Sequence, residues 1–273
     1  MGTARSFDRY LAVLGRAPTS PRVDALTRLV SAQLMRVPFE NISKLYHRRR
    51  FGATTTPGLE DYLAGIEQHG FGGTCYANNP HFYALLRHLG YDVTLCGADM
   101  SRPDVHVVSI VRLEGREYLV DVGYAAPFYT PLPRDLESDL EIRFGLCRYV
   151  LSPRDSEGRS RLRMIRDGDP VHGYLVKPDA RAIEDFDGVI RESYRETATF
   201  MNAVVVERFF PGRSVRIHNL TVTESTADGA TTTRLADRDE LTQAIDHHAG
   251  MPVDVVREAI GGVSLEGDIY GPD

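Results

Sequence analysis

The spacing of apolar residues changes near Tyr91, and this change limits the folds that the chain can adopt. Before it, apolar residues recur at helical spacing, as at Phe7, Tyr10, Leu11 and Leu14. After it, short segments rich in β-branched and aromatic residues alternate with turn signals, as in "YDVTLCGA", "VHVVSIVRL" and "EYLVDVGY". The sequence therefore predicts a helical part followed by a β-rich part.

The last quarter of the chain mixes both patterns. Strands are predicted in "SVRIHNLTVTES" and "ATTTRLA", and helices in "RDELTQAIDHHAG" and "PVDVVREAIGG". No internal repeat or low-complexity linker separates these parts, so we expect them to pack on one another. The predicted fold class is α+β, with helical, β-rich and mixed regions in that order.

Composition excludes several function classes. The 273 residues carry a net charge of -6, from 32 lysines and arginines against 38 aspartates and glutamates. A nucleic-acid-binding protein would normally present a basic face, so we expect a small-molecule partner instead.

No apolar run resembles a signal peptide or approaches the roughly 20 residues that span a bilayer, which predicts a cytoplasmic protein without membrane contact. Three widely spaced cysteines fit neither a disulfide framework nor a zinc site, and no metal is expected.

The segment "GFGGTCYANN", residues 70–79, places Cys75 behind two glycines and in front of a predicted helix. A helix N-terminus favours the thiolate, the reactive form of cysteine, because unpaired amides and the helix dipole place partial positive charge there. Gly72 and Gly73 would let backbone amides approach the sulfur or a developing oxyanion. The alternative is a buried, unreactive cysteine that only packs in a core.

A nucleophilic cysteine needs a base, and the base needs a group that orients it. His106 and Asp121 each interrupt an otherwise apolar strand. If the two strands form a hairpin about Glu114-Gly115, Leu113 pairs with Arg116, and His106 and Asp121 become diagonal neighbours on one face, about 7–8 Å apart at the backbone. A three-residue loop would move Asp121 to the other face, so the pairing depends on this register.

Several segments resemble, in order and spacing, the sequence blocks of the arylamine N-acetyltransferase family. They are "RVPFENIS", "FGGTCYANN", "DVHVVSIV" and "YLVDVGYAAPFYTPLP". The resemblance implies a helical bundle over residues 1–90, a β-barrel over 91–195 and an α/β lid over 196–273. It also implies a triad arranged as in cysteine proteases, with Cys75 as nucleophile, His106 as base and Asp121 as the group that orients His106.

The same resemblance implies a ping-pong reaction. Acetyl-CoA, a co-substrate and not a permanently bound cofactor, would acylate the cysteine, and an arylamine, hydrazine or arylhydroxylamine would take the acetyl group. Related amide synthases of this superfamily instead join a polyketide or another acyl thioester to an aromatic amine. A cysteine hydrolase and a non-catalytic binding module are further alternatives. The acceptor, the donor and the oligomeric state are not determined by the sequence.

Two departures from the family pattern bear on the substrate. The family block reads Arg-Gly-Gly-x-Cys-x-Glu, and Phe71 and Ala77 stand here at the arginine and glutamate positions. Glu40 is therefore expected to lack an arginine partner. The family's Gly-Phe-Gly after "VDV" is replaced by Gly123-Tyr124-Ala125, which would reshape one wall of the pocket.

Four aromatic residues are candidates for a pocket that binds the substrate. They are Phe39, Phe71, Tyr124 and Phe200, chosen by motif position or proximity to the motifs. The alternative is that they are core residues, which is the more frequent role of an aromatic side chain.

Overall fold

The helical pattern before Tyr91 forms five helices in a computed structural model of the protein, which describes residues 2–267. Their bounds are α1 Ala4–Leu14, α2 Val23–Arg36, α3 Ile42–Phe51, α4 Leu59–His69 and α5 Cys75–His88. The apolar face of α1 is buried, as its spacing predicts, in a core shared with α2, α4 and α5. A short strand, β1 (Phe39–Glu40), separates α2 from α3.

The β-rich part forms a single antiparallel sheet of eight strands. They are β2 Asp92–Asp99, β3 His106–Leu113, β4 Arg116–Val120, β5 Leu132–Pro133, β6 Leu140–Phe144, β7 Cys147–Leu151, β8 Ser160–Arg166 and β9 Asp169–Ala180. Their order in the sheet is β5-β4-β3-β2-β9-β8-β7-β6, and the sheet curls into a nearly closed barrel. Apolar side chains from both halves of the sheet form one cluster. The predicted helical bundle and β-barrel are confirmed.

The hairpin of β3 and β4 has the predicted register. Leu113 pairs with Arg116 and Ser109 with Val120. Glu114 and Gly115 form the turn, with φ of 52° and 77°. These left-handed conformations suit the tight turns that join two antiparallel strands. Since β4 ends at Val120, Asp121 is the first residue of the following loop.

The last part of the chain forms the α/β unit. A 3-10 turn at Ile183–Phe186 leads to the helices α6 Asp187–Glu192, α7 Thr199–Asn202, α8 Arg238–Ala249 and α9 Val253–Ile260. The strands are β10 Val205–Phe210, β11 Arg213–His218, β12 Thr221–Thr226 and β13 Gly229–Arg234. The first strand, β1, pairs with β10 and completes a five-stranded sheet.

Side chains of the helical part pack against the α/β unit. Ile42, Leu45 and Phe71 pack in the core of the α/β unit, beside residues of α8 and α9. The boundaries predicted at residues 90 and 195 stay a prediction. Residues 268–273, at the end of the third predicted region, lie outside the described residues.

Neither a membrane-spanning helix nor a cluster of metal ligands is found within residues 2–267. None of the helices described there is long and apolar enough to cross a membrane. No group of three or more His, Cys, Asp or Glu side chains in that part of the chain is placed to hold a metal ion.

Candidate active site

Cys75 is the first residue of α5, where the helix leaves its first amides without intrahelical partners. Its N-cap, Thr74, makes no side-chain capping bond. Among the described residues, no acceptor takes the N–H of Cys75 or Tyr76. Two adjacent amides at the positive end of a helix therefore flank the thiol.

The two glycines before Cys75 are required by close approaches of the backbone. A Cβ on Gly72 would lie 2.0 Å from the carbonyl oxygen of Pro38. Gly73 has a φ of 153°, and a Cβ there would lie 2.6 Å from the Cβ of Ala77. Any larger residue at either position would displace the loop that leads into Cys75.

His106 and Asp121 form a buried pair. Nε2 of His106 donates to Oδ2 of Asp121 at 2.7 Å, and the two residues are 1% and 3% exposed. The ring of His106 also hydrogen-bonds to the side chain of Cys75. Because Nε2 is bonded to Asp121, Nδ1 is the nitrogen that faces the thiol. The structure thus brings the three predicted triad residues together.

Every oxygen of the Asp121 carboxylate is hydrogen-bonded. Oδ1 accepts from Nδ2 of Asn79 at 2.8 Å and from the amide of Gly123 at 2.9 Å. Oδ2 accepts from His106 and from the hydroxyl of Tyr174 at 2.8 Å. A buried carboxylate with this many donors can remain ionised without a net desolvation penalty.

The two partners shift each other's pKa values in opposite directions. Burial alone would lower the pKa of His106, but the charge and hydrogen bond of Asp121, and then those of Cys75, raise it to about 10. Burial alone would raise the pKa of Asp121, but the charge and hydrogen bond of His106 hold it below its usual range. The pair therefore favours an imidazolium beside the sulfur of Cys75.

Asn79 connects the helix of the nucleophile to the barrel. It lies one turn after Cys75 on α5 and is buried. Its Nδ2 donates to the carbonyl of Val107 at 2.6 Å as well as to Asp121, and its Oδ1 accepts from the amide of Val122 at 2.9 Å. These bonds join α5, β3 and the loop after β4.

Sequence reasoning missed Asn79 and Tyr174. The signal for Asn79 was available, since an amide four residues after Cys75 lies on the same helix face. Tyr174 lies on β9, and its ring centroid is 4.7 Å from that of His106. No spacing rule connects a residue so distant in sequence to the hairpin of β3 and β4.

Gly123 sets the distance between the barrel and α5. A Cβ on this glycine would lie 2.7 Å from Cα of Cys75 and 2.8 Å from Nδ2 of Asn79. Only a residue without a side chain allows the loop after Asp121 to lie directly against the nucleophile.

Three of the four aromatic pocket candidates lie near this loop. The rings of Phe39 and Phe200 meet edge to face at 5.9 Å and pack with Ala125. Tyr124 lies 5.7 Å from the ring of His106, and its hydroxyl hydrogen-bonds to Nδ1 of His172 at 2.7 Å.

Phe71 lies elsewhere. It is buried in the core of the α/β unit, and its ring contacts are Tyr46, His47 and His69. The structure therefore does not group it with Phe39, Tyr124 and Phe200.

Glu40 has no arginine partner among the described residues, as the departure at Phe71 predicts. Its Oε1 accepts from the amide of Gly72 at 2.9 Å and its Oε2 from the amide of Ser43 at 2.8 Å. Burial raises the pKa of this carboxyl, and hydrogen bonds from the side chain and amide of Ser43 and from the amides of Gly72 and Ile42 lower it by less. In this chain, Glu40 holds the glycine loop before Cys75 through the amide of Gly72.

Comparison with known proteins identifies the family. A family model described as N-acetyltransferase matches residues 22–258. The chain belongs to this family, that of the arylamine N-acetyltransferases, and is an acyltransferase.

Among curated proteins, the chain is similar to proansamycin X synthase of Amycolatopsis mediterranei (strain S699). The identity is 32% over 190 residues, which covers 65% of this chain and 72% of that protein. It is also similar to arylamine N-acetyltransferase 1 of Homo sapiens, at 26% identity over 218 residues, or 70% of this chain and 72% of that one.

Solved structures show the same fold. The arylamine N-acetyltransferase of Nocardia farcinica superposes with a TM-score of 0.78 at 23% identity, covering 95% of each chain. That of Mycobacterium marinum in complex with CoA superposes with a TM-score of 0.79 at 20% identity, covering 94% of this chain and 99% of that one.

Proposed function

We propose that the protein transfers an acyl group from a thioester to an amine through an acyl-Cys75 intermediate. His106 acts as the base and acid, and Asp121 orients it. The observation that carries this proposal is the buried 2.7 Å bond between His106 and Asp121, with the ring of His106 also hydrogen-bonded to Cys75.

In the first half-reaction, the thiolate of Cys75 attacks the carbonyl carbon of the thioester. The C–S bond to the leaving thiol breaks, and protonated His106 gives its proton to the departing thiolate. Asp121 holds the imidazole in one orientation and stabilises its charged form, since all its other hydrogen bonds come from fixed donors.

In the second half-reaction, an amine nitrogen attacks the acyl-cysteine. His106 takes the proton that the nitrogen loses, and the Cys75 thiolate is released. The amides of Cys75 and Tyr76, which have no acceptor in the described part of the chain, are the donors available to the oxyanion formed in both steps.

For the substrates, we propose acetyl-CoA as the acyl donor and an arylamine, hydrazine or arylhydroxylamine as the acceptor. The curated relatives named arylamine N-acetyltransferases and the Mycobacterium marinum structure in complex with CoA support it. Phe39, Tyr124 and Phe200 are the proposed aromatic wall for the acceptor, because they pack beside the loop that touches Cys75. The contacts of Phe71 do not support a place for it in that wall.

An amide synthase is the second candidate. Its support is the 32% identity with proansamycin X synthase over 72% of that protein. The chemistry at Cys75 would be unchanged, and only the acyl donor would differ.

Intact-protein mass spectrometry after mixing with acetyl-CoA tests both candidates. An acetyl adduct that is present in the wild type and in Cys147→Ala but absent in Cys75→Ala would support acetyl transfer. Adducts formed only from longer acyl thioesters would support the amide synthase. Absence of any acyl adduct, while Cys75 still reacts rapidly with a thiol reagent, would contradict the proposed function.

The fate of the acyl group separates a transferase from a hydrolase. With an aromatic amine present, amide must form faster than free acid. Release of acid alone would contradict the transferase reading.

A further inference from the structure

Lys44 is a buried lysine beside the cluster that contains Cys75. It lies on α3 and is 8% exposed. Its Nζ donates to Oγ of Ser193 at 2.7 Å and lies 4.3 Å from the ring centroid of Tyr194. Tyr194 packs in the same apolar cluster as Cys75. The ammonium is therefore held by Ser193 and Tyr194, and Tyr194 belongs to the cluster that contains the nucleophile.

No carboxylate pairs with Lys44 among residues 2–267. The chain has only one other lysine, Lys177, against thirty arginines. Lys177 shows the usual arrangement, with Nζ 2.7 Å from Asp99 and 2.6 Å from Asp104. Lys44 has a hydroxyl and an aromatic face in place of such partners.

Burial of an ammonium without an anion is unfavourable, and a cation–π contact offsets only part of the lost hydration. Burial accordingly lowers the pKa of Lys44 to about 7, and the charge of Cys75 opposes that shift. The Oγ of Ser193 itself donates to the carbonyl of Ile190 at 2.6 Å, so its position is fixed. It occupies one of the three N–H donors of Lys44, which leaves donors for a ligand.

We propose that Lys44 determines specificity by binding a carboxylate that a substrate brings next to Cys75. This inference rests on the proposed acyl-transfer function. The carboxylate comes either from the acyl group, as in the thioester of a dicarboxylic acid, or from the acceptor, as in an amine with an acidic substituent. An anion at this point supplies the partner that the buried ammonium lacks.

Binding measured by calorimetry in a Cys75→Ala background, where no turnover occurs, tests the inference. One arm compares succinyl-CoA with acetyl-CoA, and the other compares para-aminobenzoate with para-toluidine. In at least one arm, we expect the carboxylate ligand to bind about tenfold tighter, the size of one charge-assisted hydrogen bond. The arm that shows the preference identifies the source of the carboxylate.

Adding Lys44→Met should abolish that preference, and adding Lys177→Met should retain it. Lys44→Met replaces an unpaired cation with an apolar side chain of similar length, so we expect it to fold, and Lys44→Gln provides a second neutral variant. The inference is overturned if neither arm shows a preference, or if the preference survives both neutral variants.

Failure of the proposed function gives a different result. It would appear as the absence of an acyl adduct on wild-type Cys75 with any donor, while the calorimetric comparison still reports on Lys44. Conversely, normal acylation without any preference for a carboxylate would overturn the Lys44 inference alone.

Discussion

Nε2 of His106 lies 2.7 Å from Oδ2 of Asp121, at the place where the barrel meets the first turn of α5. Both side chains are buried, and the histidine's other nitrogen faces Cys75. The hairpin of β3 and β4 brings the two residues to one face, and Asn79 ties that face to the helix of the nucleophile.

The stability supplied by the His106–Asp121 pair should depend on pH. The raised pKa of His106 adds stability that is complete below its unfolded value of about 6.5 and is lost as the pH rises through the folded value. The lowered pKa of Asp121 adds stability that is present above about pH 4 and is lost as the pH falls through the folded value. The contribution of the pair is therefore largest between about pH 4 and 6.5.

We expect the difference in unfolding free energy between the wild type and Asp121→Asn to be larger at pH 6 than at pH 9, by roughly 1–3 kcal/mol. Urea titrations at both pH values measure it. Asp155→Asn, which removes an exposed carboxylate paired with Arg159, is the control and should show a similar difference at both. If the difference in unfolding free energy between the wild type and Asp121→Asn is the same at pH 6 and pH 9, the coupling between His106 and Asp121 is contradicted.

Asn79→Ala should lower the free energy of unfolding by about 2–4 kcal/mol, because it removes the side-chain partner of the buried Val122 amide and Val107 carbonyl and one of the two donors to Oδ1 of Asp121. Acylation of Cys75 should slow as well, since Asp121 loses a fixed donor. Chemical denaturation and the rate of adduct formation measure the two effects. Asn202→Ala, which removes only a 3.4 Å bond to Ala198, should change stability by less than about 1 kcal/mol. An equally small change in the free energy of unfolding for Asn79→Ala would contradict the positioning role of Asn79.

Gly123→Ala should impair both folding stability and reactivity of Cys75, because the new methyl group would lie 2.7 Å from Cα of Cys75. Backbone atoms cannot move aside easily, so we expect a loss of about 1–3 kcal/mol. Gly188→Ala in α6 is the control: its Cβ would meet nothing within 4 Å, and a gain of up to about 1 kcal/mol is expected from helix propensity. Thermal unfolding and the rate of Cys75 alkylation by iodoacetamide, measured for both variants, test this prediction. Unchanged alkylation in Gly123→Ala would show that the contact is not required.

Ala125→Gly should destabilise the protein less than Ala126→Gly. Ala125 has a φ of 58°, a left-handed conformation that costs an L-residue roughly 1–2 kcal/mol. Relief of this strain offsets the loss of a buried methyl group beside Phe39 and the added freedom of the unfolded chain. Ala126→Gly loses a buried methyl group without that compensation, because Ala126 lies in the barrel core outside the left-handed region. A melting temperature of Ala125→Gly as low as that of Ala126→Gly would refute the prediction.

Local sequence signals predicted much of the fold. The change of hydrophobic period near Tyr91 separates the helices from the barrel, and Gly70 ends α4 as predicted. The turn residues Glu114 and Gly115 determine the register of β3 and β4, and with it the side of the sheet that His106 occupies. These features depend on contacts between residues close in the chain, where spacing and turn chemistry are sufficient.

The packing of elements that are distant in sequence selects which of their faces meet. Tyr174 reaches Asp121 from β9, Phe71 packs in the core of the α/β unit, and Lys44 is buried beside Tyr194. Each of these contacts joins elements far apart in sequence, and local propensity does not specify which surface an element packs against. Local patterns in the chain specify the kinds of element and identify the residues able to do the chemistry. The packing of α5 on the barrel, through Gly123 and Asn79, decided that Cys75 and His106 meet.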